Sequence, residues 1–205
     1  MIDVVIDISH HNGTNLSFAK AKGAGIEGVI HKASQGSSNV DPLYKTNRKK
    51  AAAAGLMWGA YHFATGSGGV GQAMSFLKAV GDPAEVLMVL DLEPNPNGPS
   101  MGLIEARNFV SFVHHETGRW PGLYSGHTIR ELLQNSDDPV LANCWLWLAQ
   151  YGPIAVVPPN WPTWTMWQYT DGMVGKPPPV PGIGHCDRNR FNGSLSNLRK
   201  LWGVA

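Results

Sequence analysis

Residues 86–93, Val-Leu-Met-Val-Leu-Asp-Leu-Glu, constrain the fold of this chain more than any other segment, because an apolar run ends there in two carboxylates two positions apart. Asp82-Pro83 bounds the run on one side and Pro94-Asn95-Pro96-Asn97-Gly98 on the other. It is long enough for a strand buried on both faces and too short for a typical helix. Side chains alternate along a strand, so Asp91 and Glu93 share one face, with α-carbons about 6.5 to 7 Å apart. Two carboxyls held that closely do not both ionise freely. Repulsion and loss of water are expected to raise one pKa and leave the other carboxyl anionic, the division of labour an acid/base pair needs.

A strand buried on both faces belongs to a sheet covered on both sides, and the rest of the chain supplies the covering pattern. Further short apolar runs read as strands at 4–9, 28–32, 57–63, 122–125, 146–150, 165–169 and, with a weaker pattern, 185–188. Helical patterns lie between the first six strands, at 17–24, 42–54, 70–80, 102–116 and 128–135, and residues 194–202 read as a closing helix. Pro- and Gly-rich connections at 153–162 and 176–184 leave little room for crossover helices between the last three strands. The repeating β-α order predicts an α/β fold with a parallel sheet. Eight strands and about five crossover helices predict an irregular, incomplete TIM-like β/α barrel. No linker, low-complexity stretch or fixed-period repeat divides the 205 residues, so one domain over 1–205 is expected.

In such a barrel the site lies at the C-terminal ends of the strands. Asp91 and Glu93 obey that rule. So does Asp7, set between Ile6 and Ile8, where a charge is costly unless it has a partner or a purpose; a structural Asp7 satisfied by backbone N–H groups stays open at this point. Asp187, next to Arg188 and near Arg190, reads on its own as a surface ion-pair residue.

Composition removes several classes of function. A formal charge of +1 and the lack of a basic run give no electrostatic ground for nucleic-acid binding. The N-terminal Met-Ile-Asp-Val-Val-Ile-Asp has neither a basic n-region nor a long apolar segment, and no stretch of 18 apolar residues occurs, so neither a signal peptide nor a membrane span is expected. Cys144 and Cys186 form no C-x-x-C pair, which argues against a disulfide framework and a cysteine metal site.

Two other motifs compete for attention. Gly66-Ser67-Gly68-Gly69-Val70-Gly71 matches the dinucleotide pattern G-x-G-x-x-G, with Asp91 twenty positions beyond, but Ala64-Thr65 separate it from the strand and it falls in the third unit instead of the first. A connection beside a groove explains the glycines more simply. His185-x-Asp187 would place two metal ligands on one strand face, and His10-His11 ends the first strand, where adjacent side chains are expected to point apart. His114-His115 falls on a helix and reads as a solvated face. No H-E-x-x-H or other compact ligand pair is present, so no metal and no cofactor are expected.

From end to end the chain resembles glycoside hydrolase family 25, the N-acetylmuramidases known as lysozymes of the Chalaropsis type. The segments that carry the resemblance are Ile6-Asp7-Ile8-Ser9-His10-His11-Asn12-Gly13, Lys32-Ala33-Ser34-Gln35-Gly36, Gly59-Ala60-Tyr61-His62-Phe63, Leu90-Asp91-Leu92-Glu93, Leu146-Trp147-Leu148-Ala149-Gln150-Tyr151, Trp167-Gln168-Tyr169-Thr170 and Asp187-Arg188-Asn189-Arg190-Phe191. The resemblance implies hydrolysis of the β-1,4 bond between N-acetylmuramic acid and N-acetylglucosamine in bacterial peptidoglycan. By position it implies an acidic set of Asp7, Asp91, Glu93 and Asp187. Glu93 would be the general acid and Asp91 would orient the substrate's 2-acetamido group for substrate assistance. Asp7 and Asp187 would orient the sugar or stabilise oxocarbenium charge electrostatically. Tyr61, Phe63, Tyr124, Trp147 and Gln168 are candidate groove residues. Gln35 stands where many relatives carry Glu, and His10 and His11 replace residues common there. A lone catalytic domain without wall-binding repeats or a signal peptide resembles a phage or prophage endolysin: a monomer made in the cytoplasm and released by a holin-like or other export route. A metal-dependent carbohydrate-active hydrolase, a nucleotide-binding protein and a non-catalytic glycan-binding module remain as alternatives, and the retention of all four acids speaks against the last.

Overall fold

A computed structural model of the chain describes residues 1–204. Nine strands are present: β1 (Ile2–Ile8), β2 (Gly28–Gln35), β3 (Asn39–Val40), β4 (Met57–Phe63), β5 (Val86–Asp91), β6 (Gly122–Ser125), β7 (Trp145–Ala149), β8 (Met166–Thr170) and β9 (Asp187–Phe191). All except β3 form a closed barrel in the order β1-β2-β4-β5-β6-β7-β8-β9, with β9 returning to β1. Five helices cross over outside it: α1 (Phe18–Gly23), α2 (Tyr44–Ala53), α3 (Gly69–Val80), α4 (Leu103–Thr117) and α5 (His127–Leu133). A sixth, α6 (Leu195–Trp202), follows β9. Among the described residues no helix is long and apolar enough to cross a membrane.

The pleat sorts each strand into two faces. Ile6, Ile8, Val29, Met88, Leu90, Leu123, Leu146 and Leu148 turn outward and pack under the helices, where Phe76 of α3 and Phe109 of α4 complete a continuous core. Val5, Ile30, Leu87, Val89, Met166 and Phe191 turn inward. The inner layer is closed below by α6, whose fully buried Leu198 and Trp202 join this same cluster. Ser194 and Asn197 form a capping box that starts α6, and Trp202 Nε1 donates to the Trp58 carbonyl at 2.8 Å. Gly28 makes room for the ring, since a β-carbon there would lie 3.0 Å from it. Truncating Trp202 to alanine would cost on the order of 3–5 kcal/mol. With α6 as its floor, the barrel is open to substrate only at the C-terminal mouth.

The expected all-parallel sheet fails at β9 and at the short β3. β1, β2, β4, β5, β6, β7 and β8 run parallel to one another, whereas β9 is antiparallel to both β8 and β1, and β3 is antiparallel to β2. The cause at β9 lies in residues 171–186, which close on themselves at the rim. Asp171 caps the amides of Met173 and Val174, Val180 bridges Gly184, and Ser17 N–H donates to the Gly182 carbonyl. The segment never returns to the bottom of the barrel, so β9 descends from the top. It also begins two residues later than the sequence pattern predicts, and the two-residue β3 was not foreseen. Outside β8 and β9, where no helix covers the sheet, the Arg190 guanidinium lies over Trp167 and Tyr169, 5.1 and 4.3 Å from their ring centres.

The glycine cluster is a packing joint. A β-carbon on Gly66 would overlap Pro99 and one on Gly69 would overlap the Glu105 backbone, so the start of α3 rests directly on the first turn of α4. The Glu105 carboxylate accepts the Gly69 N–H. It therefore occupies the helix N-terminus that a dinucleotide phosphate would need, which disposes of the nucleotide motif.

Candidate active site

Four carboxyl groups from three strands meet at the open mouth. Asp7 ends the inward row of β1, Asp91 ends β5, Glu93 follows two residues later on the same face, and Asp187 opens β9; all four line one cavity of about 150 Å³. That volume suits one sugar ring and excludes a dinucleotide. The descending β9 is what brings Asp187 here, because reversal places its first residue at the end where the other strands finish. Asp187 pairs in register with Asp7, and it forms no ion pair with Arg188, whose guanidinium reaches Asp3 at 3.2 Å.

Of the expected groove residues, Tyr61, Tyr124, Trp147 and Gln168 line the cavity. Phe63 does not: it sits one step above Tyr61 on β4 and carries the Lys32 ammonium over its ring at 5.0 Å. Tyr124 and Trp147 meet edge to face at 4.7 Å and are nearly buried, so they shape the wall more than they offer a stacking face. Tyr151, at 46% exposure the accessible aromatic of the rim, also lines the cavity and was not singled out from the sequence.

A hydrogen-bond chain fixes Asp7. Gln168 Nε2 donates to both its carboxyl oxygens at 3.1 Å, Asn189 Nδ2 donates to Oδ2 at 2.8 Å, Tyr124 OH donates to Gln168 Oε1 at 2.7 Å, and Trp147 Nε1 donates to Asn189 Oδ1 at 2.7 Å. This rules out the backbone-satisfied reading of Asp7. Asn189 is fully buried, and the period-2 rule applied from Asp187 would have found it on the same face. Lys32, at the end of the inward row of β2, was likewise missed; its Nζ donates to Gln35 Oε1 at 2.6 Å.

The electrostatics correct the expectation of one raised and one ordinary carboxyl. All four are raised, because a single cavity withholds water from all of them. Burial pushes Asp91 well above the carboxylate range, with Glu93 adding to it and the Lys32 charge opposing. Burial and then Asp187 do the same to Asp7, against the bonds from Asn189 and Gln168. Burial raises Glu93, and burial followed by Asp171 pushes Asp187 up to about 6. Asp91 Oδ1 is buried and has no hydrogen-bond partner among the described residues.

The histidines stand elsewhere. His185 precedes β9 and turns Nδ1 to the Gly172 carbonyl at 2.9 Å, so it does not share a strand face with Asp187. His10 and His11 lie beyond β1 in a 3-10 turn, which tilts their rings together at 4.0 Å instead of apart. His114 stacks on Trp120 at 4.2 Å and only His115 is freely solvated. Among the described residues no three His, Cys, Asp and Glu side chains are grouped as a metal cage.

Known proteins resemble this chain in sequence and fold. The sequence profile of Glycosyl hydrolases family 25 matches residues 6–176. Lysozyme M1 of Streptomyces globisporus is 33% identical over 96% of this chain and 70% of its own length. The N,O-diacetylmuramidase of a Chalaropsis species is 29% identical over 95% and 96%. The crystal structure of a bacterial lysozyme from Streptomyces coelicolor superposes with a TM-score of 0.86 at 32% identity, covering 97% of this chain and 95% of that one. A closed barrel with a reversed last strand, an acidic mouth and a profile match spanning most of the chain lead to one conclusion: the chain belongs to glycosyl hydrolase family 25 and is a glycoside hydrolase.

Proposed function

We propose that the protein hydrolyses the β-1,4 bond between N-acetylmuramic acid and N-acetylglucosamine in bacterial peptidoglycan, with Glu93 as general acid. The observation that carries the reading is the gathering of four raised carboxyls in one cavity of sugar size. Glu93 is the less buried member of the central pair and stands at the mouth. A carboxyl that holds its proton towards neutral pH can give it to the leaving glycosidic oxygen as the C1–O bond breaks. The unpartnered Asp91 Oδ1 supports substrate assistance, because the N–H of a 2-acetamido group would supply the missing donor. So held, the acetamido carbonyl oxygen attacks C1 while the proton of Glu93 leaves with the departing sugar. Water then attacks C1, gives a proton back to Glu93 and restores the acetamide, with net retention at C1. Asp7 and Asp187 face the ring and stabilise positive charge developing on it. The place of action is the bacterial cell wall, reached by a holin-like or other export route.

The test is digestion of purified peptidoglycan and identification of the new reducing end. Muramic acid there supports the reading; glucosamine, or no cleavage, rejects it. Glu93→Gln keeps the shape but has no proton to give, so a folded variant should lose roughly 10² to 10⁴ in rate. Near wild-type activity in that variant would remove Glu93 from its role.

A further inference from the structure

One strand away from the acidic cavity, the same rim carries a second recess of about 370 Å³, between the end of β2, the His10 turn and β3. Lys32 stands between the two. It lines the recess, and in the sheet it lies in register with Tyr61, which lines the cavity. Neighbouring strands are about 5 Å apart, so a substituent on a sugar held against Tyr61 has to travel only a few bonds to reach the ammonium.

The recess differs from the cavity in offering an ammonium. Lys32 is half-buried, donates one hydrogen bond to the neutral Gln35 Oε1 and lies over Phe63. Among the described residues it forms no ion pair. An ammonium has three donors, so two remain for a ligand. Asp41, the one acid lining the recess, is already committed: it accepts from His10 N at 3.0 Å, His10 Nδ1 at 2.7 Å and Leu43 N at 2.9 Å. Asp91 and Asp41 are near enough to act on the Lys32 charge but neither pairs with it directly, so an anionic group meets here an ammonium with donors to spare.

We infer that this recess binds a carboxylate of the substrate's peptide arm, with Lys32 as its ligand. The inference rests on the reading of peptidoglycan as substrate, in which the lactyl group of muramic acid bears a short peptide with free carboxylates. Specificity then comes from two neighbouring sites: the cavity takes the sugar and the recess, through the Lys32 ammonium, holds its acidic substituent.

The test compares intact peptidoglycan with the same material after amidation of its peptide carboxylates by carbodiimide and ammonia. The wild-type enzyme should show kcat/KM about tenfold higher on the free carboxylates, carried mainly by KM, as a charge-assisted bond warrants. Lys32→Met should bring that ratio close to one, and Lys32→Arg should keep most of it. The ratio compares two substrates on one enzyme, so a general effect of Lys32 on Asp91 cancels. Asn39→Asp, on the exposed β3 and outside the catalytic set, adds a competing carboxylate and should lower the ratio severalfold even if Lys32→Met fails to fold. Equal wild-type rates on both substrates, or an unchanged ratio in folded Lys32→Met or in Asn39→Asp, overturns the inference. If neither substrate yields a muramic acid reducing end, it is the peptidoglycan reading that fails.

Discussion

Asn189→Leu tests whether the chain of side chains around Asp7 is a working support. Asn189 is fully buried, donates to Asp7 Oδ2 at 2.8 Å and accepts from Trp147 Nε1 at 2.7 Å. Leucine fills similar space and does neither. The lost bond to a carboxyl is worth about 1.5–3 kcal/mol, and the orphaned indole N–H costs about 1–3 more. The sum, about 2.5–6 kcal/mol, is a large part of the stability of an ordinary domain. At this chain length it corresponds to a fall in Tm of roughly 5–24 °C. Urea unfolding followed by tryptophan fluorescence at pH 7 measures it. A second readout separates support from bulk packing. The Asn189 bond lowers the pKa of Asp7 against the effect of burial, so its removal raises that pKa further. If ionised Asp7 is the active form, the acidic limb of the activity profile moves to higher pH. A loss below about 1 kcal/mol together with an unmoved limb would refute the reasoning.

Asp187→Asn should slow the reaction and yet stabilise the protein. Its folded pKa of about 6 lies above the ordinary carboxylate value, so the favourable contribution present below pH 4 is lost as pH rises to 6. Above pH 6 the neutral amide should be more stable than wild type by up to about 3 kcal/mol; urea curves at pH 4 and pH 7 that show no difference in the variant's advantage would sink this. His62, buried between Ser34 and Gln72 and stacked on Phe109, has its pKa lowered to about 4 by burial. Its neutral ring therefore stabilises the fold above pH 6.5, and that contribution, roughly 3 kcal/mol, is lost as pH falls towards 4. An NMR titration of the ring protons should show no midpoint above pH 5. Prolonged EDTA treatment should leave peptidoglycan cleavage unchanged, since acid and substrate assistance need no Lewis acid; activity lost and restored by zinc or manganese would contradict the mechanism.

What the sequence reveals depends on whether the deciding interaction is local. The Val86–Asp91 strand is apolar on both faces because both faces are buried, so it declares itself and carries Asp91 and Glu93 with it. Five crossover helices are legible for the same reason, each having a neighbouring strand to cover. The direction of β9 is not legible. It is set by turns within 171–186 and by a bond from Ser17 to Gly182, across 165 positions of sequence. Asp187 consequently reads as a surface residue until the resemblance, and then the reversed strand, bring it inside. Phe63 shares its strand face with Tyr61 but lies beyond the cavity, a matter of depth along the barrel that alternation cannot express. Asn189 and Gln168 meet Asp7 from opposite ends of the chain, and polar side chains at such positions carry no periodic signal of their partner.

The reversed strand also decides when the acidic cavity is completed during synthesis. Asp7 leaves the ribosome among the first residues, but its partners Gln168 and Asn189 and its neighbour Asp187 are among the last. Until residues 187–191 are made, β1 and β8 are two open edges with nothing between them. Elongation at about 5–20 residues per second adds the stretch from the end of β8 to the end of β9 in roughly one to four seconds. A chain cut short before β9 lacks Asp187 and Asn189, so the four-carboxyl cavity is completed only when translation is nearly finished.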